Sequence, residues 1–148
     1  HLKWPNDLLW KNQKLAGLLV ETVARPGRLP LAILGIGLNV SQQAADFPRD
    51  LKKTAVSLRQ AAGRTVPRVQ ALAAFLDALA RRLDQAPEEI LGDFRTAWAQ
   101  QGRRLTVRSG GEEFSGIATQ VDDSGHLHLQ LPDGSEKIFA SGEADFPA

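Results

Sequence analysis

Between Pro67 and Trp98 the apolar residues recur every third or fourth position, and past Gly102 they recur every second one. This change of period limits the fold most. A helix returns a side chain to the same face after three or four residues, and a strand does so after two. From Pro67 to Leu83, Val69, Leu72, Phe75, Leu76, Leu79 and Leu83 make one stripe, with Arg68, Asp77, Arg81 and Arg82 off it. That pattern predicts an amphipathic helix with a core face. Pro67 suits the first helical position, where an amide would lack a partner. Pro87 opens another helix, with Glu88 and Glu89 facing the positive end of its dipole and Ile90, Leu91, Phe94, Ala97 and Trp98 as its apolar side. Thr54 to Ala62 predicts a shorter helix stopped by Gly63.

Ahead of the helices lie two apolar runs, Leu15 to Ala24 and Leu31 to Val40, joined by Arg25-Pro26-Gly27-Arg28. They are too short and too lightly charged for surface helices, and predict a buried antiparallel hairpin. Leu2-Lys3-Trp4 reads as the end of a strand stopped by Pro5. After Gly102, strands are expected at Leu105 to Val107, Phe114 to Val121, Leu127 to Leu131 and Lys137 to Ala140. Turns fall at Gly110-Gly111, at Asp122-Asp123-Ser124-Gly125 and at Pro132-Asp133-Gly134. Four or five short strands in roughly 45 residues suggest a small barrel. A boundary near Gln100 to Gly102 separates the two regions.

Composition narrows the function. With 148 residues, 43% hydrophobic and 24% charged, the chain can hold one ordinary domain, or a partial domain and a small one. A net charge of +1 gives no bulk attraction to nucleic acid or anionic membranes. Without cysteine there is no disulfide framework, thiolate metal site or cysteine nucleophile. No apolar run approaches the roughly 18 residues that span a bilayer. A cytoplasmic protein is expected, with no membrane partner. The chain contains no methionine and opens at His1, in what reads as mid-strand. The expectation is a fragment.

Three segments carry the chemistry: Lys3-Trp4-Pro5-Asn6-Asp7, Lys14-Leu15-Ala16-Gly17 and Gly35-Ile36-Gly37-Leu38-Asn39. On a strand, Gly35, Gly37 and Asn39 share one face and Leu34, Ile36, Leu38 and Val40 the other. Bare backbone lets a flat ligand lie on the sheet, and the Asn39 amide can pair with the donor and acceptor of a base edge. The plainer reading is a strand bend beside a surface amide. Lys3 and Lys14 flank a Pro-Asn-Asp turn, where two ammonium groups could screen a carboxylate from a phosphate; the alternative is two solvated lysines. Asp7 could help hold a phosphate-bound magnesium, or only serve the turn. Trp4 reads as core, and Glu21 in an apolar strand calls for a partner. His126 and His128 alternate with Leu127 and Leu129, are expected to face outward, and lack a third metal ligand. Arg103-Arg104 reads as a solvated pair. No phosphate-binding Gly-Lys-Thr loop, serine elbow or zinc motif occurs.

These three segments, in this order, with Ala55-Val56-Ser57-Leu58, the two helices and the β-rich end following, resemble the biotin–protein ligases, the family that includes bacterial biotin-operon repressors. The resemblance covers the whole chain. It implies an α+β fold: a partial class II synthetase-like mixed sheet with helices over 1–101, the C-terminal part of a catalytic domain, then a small SH3-like β-barrel over 102–148. It implies activation of biotin by ATP to biotinyl-5′-AMP, then transfer to a lysine of the biotin carboxyl carrier protein of acetyl-CoA carboxylase. Lys14 matches the lysine between the biotin carboxylate and the α-phosphate, and Lys3 one near the phosphates. Gly17, Gly35 and Gly37 match backbone bordering biotin, Asn6 a position near the nucleotide, Asn39 the adenine reader and Asp7 a position near Mg2+. The family's Gly/Arg-rich loop and its upstream Ser/Thr and Gln contacts to biotin fall outside this sequence, so the chain alone is expected to be inactive. Ala55 stands where some members carry an aromatic residue on adenine. A lipoate–protein ligase is the nearest enzyme alternative. A biotinyl-AMP-responsive repressor would bind DNA through a domain upstream, and a non-catalytic half-domain would only pack against a partner. A cut sheet would expose a strand edge, so a homodimer is also expected.

Overall fold

The computed structural model describes residues 1–147. They divide into two compact units, Asn6–Leu76 and His1–Pro5 together with the chain from Asp77 onward. In chain order the elements are β1 (Leu2–Lys3), β2 (Asp7–Trp10), β3 (Gln13–Val23), β4 (Leu31–Leu38), α1 (Leu58–Ala62), α2 (Arg68–Leu83), α3 (Pro87–Ala97), β5 (Arg104–Ser109), β6 (Glu112–Val121), β7 (Leu127–Gln130), β8 (Glu136–Phe139) and β9 (Glu143–Asp145).

In the unit Asn6–Leu76, β2, β3 and β4 pair antiparallel in that order. The expected hairpin is present, with Gly17 opposite Gly37 and Val23 opposite Leu31. Strand β2 was not expected. It joins β3 through Lys11 and Asn12 at φ 48° and 66°. Both central residues of such a tight turn need positive φ, and Lys-Asn lacks the glycine that usually announces one. The sheet pairs are antiparallel, and a parallel component enters this unit as the single bridge between Lys14 and Ala55.

Burial departs from the sequence reading here. Leu15 and Ala16 are buried, but Leu19, Val20, Leu31 and Ile33 are exposed, because no described element of this unit covers the outer half of the hairpin. Glu21 is exposed with them and needs no partner. The stripe on α2 is likewise not a core face: Val69 is 78% and Leu72 56% exposed. An apolar cleft of about 560 Å³ separates Ala71, Leu72 and Phe75 from Ala16, Leu18, Ile36 and Leu38 of the sheet. The amphipathic pattern predicted the helix correctly, but not what lies against it.

Helix α1 starts later than expected because Thr54 to Val56 stays extended. The Lys14 amide donates to the Thr54 carbonyl at 2.7 Å, and the Val56 amide to the Lys14 carbonyl at 3.0 Å. Ser57 then caps the helix. Its Oγ accepts from the Gln60 amide at 3.2 Å, and the Gln60 side chain accepts from the Ser57 amide at 3.0 Å.

In the other unit, five antiparallel strands run in the order β8-β7-β6-β5-β9. This is the β-rich end expected as an SH3-like barrel. Alternation puts Leu105, Val107, Ala118, Leu127, Leu129 and Ala144 wholly inside, and Trp4, Trp98 and Phe94 join the same core. The compact unit therefore reaches back through α3. Strand β9 escaped the sequence reading because only Ala144 in it is buried. Gly116 is required on β6, since a Cβ there would collide with the Gln130 carbonyl and the Leu129 side chain. Gln100, placed by composition at a boundary, is fully buried in this core.

Candidate functional site

The unit Asn6–Leu76 gathers most of the expected site. Asp7 stands opposite Gly17, and Gly17 opposite Gly37, so one row crosses three strands on one face. Gly35, two residues before Gly37, lies on that face too. In a regular strand Lys14, three residues from Gly17, would point to the other side. The register slips between Leu8 and Leu9, pairing Leu8 with Ala16 and Leu9 with Lys14. Leu15 is the extra residue, and such a bulge re-aims a neighbouring side chain. Lys14 Nζ reaches Asp7 Oδ1 at 2.7 Å, directly over Gly17. A Cβ on Gly17 would lie 3.2 Å from Asp7 Oδ1 and 3.3 Å from Lys14 Cε. Only glycine leaves this pair undisturbed.

The backbone around Lys14 is clamped on both sides, by β2 and by Thr54 to Val56. Asn39 closes the far end of the glycine face. Its Nδ2 donates to the Val56 carbonyl at 3.2 Å, its amide to the Leu15 carbonyl at 3.0 Å, and its carbonyl accepts from the Leu58 amide at 2.9 Å. The same Nδ2 also donates to the Lys14 carbonyl at 3.5 Å, so both N–H donors of the amide face backbone carbonyls and its oxygen is what it can offer a ligand. Asn6 Nδ2 donates to the Leu18 carbonyl at 2.6 Å, and the Leu18 amide returns a bond to the Asn6 carbonyl. Asn6 therefore fastens the turn to β3.

Lys3 belongs to the other unit. Its Nζ lies 2.6 Å from Asp145 Oδ1 of β9, and Arg108 Nη1 lies 3.0 Å from Oδ2 of the same carboxylate. Burial pushes the Asp145 carboxyl up, but Lys3 and Arg108 outweigh it and hold it below the usual carboxylate range. In this unit the expectation for His128 is corrected. His126 is partly exposed, but His128 is buried, because β7 is an inner strand flanked by β6 and β8. His128 Nε2 lies 3.2 Å from Asp122 Oδ2, and Nδ1 lies 3.1 Å from Glu136 Oε2. Burial pulls the imidazole down, and the two carboxylates outweigh it, leaving its pKa raised. Among the described residues no group of three or more His, Asp or Glu could hold a metal ion. Asp7, the expected neighbour of magnesium, faces the Lys14 ammonium group. No described helix is long and apolar enough to cross a membrane.

Residues 1–39 match the Biotin/lipoate A/B protein ligase family, and residues 102–146 match the Biotin protein ligase C terminal domain. The chain is 34% identical over 144 residues to the bifunctional ligase/repressor BirA of Bacillus subtilis, covering 95% of this chain and 44% of that protein. It is 33% identical over 146 residues to the biotin--[acetyl-CoA-carboxylase] ligase of Mycobacterium tuberculosis, covering 96% of this chain and 51% of that one. The chain thus spans about half the length of these relatives. The biotin protein ligase from Aquifex aeolicus shares the fold. Its apo structure gives a TM-score of 0.83 at 22% identity, over 99% of this chain and 65% of that one. Its complex with biotin and ATP gives 0.79 at 24% identity, over 97% and 60%.

Proposed function

We infer that this chain, which belongs to the biotin protein ligase family, is the part of a biotin ligase that holds the activated intermediate. The supporting observation is the Lys14 ammonium, fixed above the bare Gly17–Gly37 row. The chemistry needs two anions to meet. A biotin carboxylate oxygen attacks the α-phosphorus of ATP, pyrophosphate leaves, and biotinyl-5′-AMP forms. A carrier-protein lysine then attacks the acyl carbon, and AMP leaves. No protein nucleophile is required; positioning and neutralisation carry the rate. One charge contact at about 4 Å contributes on the order of 4 kcal/mol at an effective dielectric near 20, before screening by solvent. That suffices to offset much of the repulsion between carboxylate and phosphate.

Lys14 neutralises the junction of biotin and nucleotide. Gly17, Gly35 and Gly37 let the biotin rings approach the sheet backbone, and Asn39 offers its side-chain oxygen to adenine. Lys3, which matches a family lysine near the phosphates, belongs to the other unit and is paired there with Asp145, and Asn6 shapes the turn beside the nucleotide. ATP enters as its magnesium complex, with no step assigned to Asp7 as a ligand. The same proposal divides the chain at 101/102, places it in the cytoplasm, and names the biotin carboxyl carrier protein of acetyl-CoA carboxylase as acceptor. Repression of transcription would need a DNA-binding segment other than these residues.

A lipoate ligase is the second reading, because the match over residues 1–39 covers both classes. The C-terminal match over residues 102–146 favours biotin. Thermal unfolding with a non-hydrolysable biotinyl-5′-AMP analogue, and with its lipoyl counterpart, separates the two. The biotinyl analogue is expected to raise the unfolding midpoint and the lipoyl one to leave it unchanged; the reverse order would establish the lipoate reading.

A further inference from the structure

We propose that Asp7 is a positioning residue for Lys14 and not a ligand for magnesium, a proposal that rests on the role of Lys14 given above. The two partners are unequal. The Asp7 side chain is 11% exposed and that of Lys14 53%. The carboxylate is fixed in the sheet, and the ammonium sits on a flexible four-carbon stem. The fixed group therefore decides where the mobile one rests. A bulge at Leu15 brings Lys14 to the glycine face, the 2.7 Å contact stops its motion there, and Gly17 leaves room for the pair. Lysine presents three N–H donors. With one directed at Asp7, two are left for anions brought to the glycine row, where a carboxylate and a phosphate must meet. A magnesium ion bound to Asp7 would stand about 2 Å from its oxygens and compete directly with the ammonium. Among the described residues Asp7 belongs to no group of three or more metal-binding side chains.

The test is a double-mutant cycle by titration calorimetry on the whole 148-residue chain, with a non-hydrolysable biotinyl-5′-AMP analogue in magnesium and again in EDTA. Asp7→Asn is expected to weaken binding roughly tenfold, as loss of a charge-assisted hydrogen bond does. The loss should be equal in both buffers, and should shrink to about twofold or less on a Lys14→Ala background, as coupled residues require. A loss confined to the magnesium buffer, or one of equal size without Lys14, would overturn the proposal. A purely structural role predicts that additive result. A second measurement needs no variant: the carboxyl carbon-13 resonance of Asp7 in the unsubstituted chain, followed while magnesium is added. It should stay in place; a saturating shift would make Asp7 a metal ligand. If the unsubstituted chain binds no analogue, the ligase reading of these residues fails, and the resonance alone decides the role of Asp7.

Discussion

Gln100 shows how far one side chain can escape a pattern-based reading. Its Oε1 accepts from the Trp4 amide at 2.8 Å and from Trp98 Nε1 at 3.1 Å, and its Nε2 donates to the Ala144 carbonyl at 2.6 Å. All of this lies in a fully buried position. Replacing it with leucine would keep the volume and orphan two buried donors and one acceptor. Gln100→Leu is expected to cost about 3 kcal/mol of stability, since each unsatisfied buried group costs about 1–3 kcal/mol. Urea unfolding followed by tryptophan fluorescence measures it, and a loss below about 1 kcal/mol would mean the bonds are dispensable. A polar residue between two periodic segments reads as a linker, so nothing local marks Gln100 as core. The glycines and Lys14 were legible because bare backbone beside an ammonium is unusual chemistry. The partner of Lys14 was not, because Asp7 lies on the unexpected strand β2 and a bulge at Leu15 of β3 turns Lys14 towards it.

At the scale of elements, periodicity located all three helices and most strands. It missed β2, whose turn lacks glycine, and β9, which has only three residues. It also misjudged His128, since strict alternation assigns a face but not what covers it. The consequence is a pH dependence of the β8-β7-β6-β5-β9 sheet. The raised pKa of His128 means the folded state binds its proton more tightly than the unfolded state, whose pKa is about 6.5. This stabilisation is fully present below about pH 6.5 and is lost as pH rises through the higher folded value. Asp122 and Asp145, both held low, act oppositely; their contribution falls away below about pH 4, in the ordinary carboxylate range. The unfolding midpoint should therefore decline as pH rises above about 6.5. In His128→Asn the decline should flatten. An unchanged slope in that variant would assign it to other groups.

For the molecule as a whole, the exposed apolar surface of the unit Asn6–Leu76 is the dominant feature. Strand β4 is the last strand of its sheet, and Leu31, Ile33 and Ile36 along it are exposed. A long, uncharged edge of this kind pairs readily with another chain. Sedimentation velocity is expected to show association that grows with concentration and is reduced by Ile33→Lys; a monomer at every concentration would contradict it. The resemblance implied an exposed strand edge, whereas patterning alone read these residues as a buried hairpin, because it reports which residues are apolar and not which neighbours cover them.

The ligase reading stands or falls on Lys14, and isothermal titration of the chain with biotinyl-5′-AMP or a stable analogue tests it most directly. Binding that weakens by roughly a hundredfold, yet stays measurable, in a folded Lys14→Ala variant is the predicted result. Unchanged binding in that variant, or no binding to the well-folded unsubstituted chain, would contradict the assignment of the intermediate to these residues.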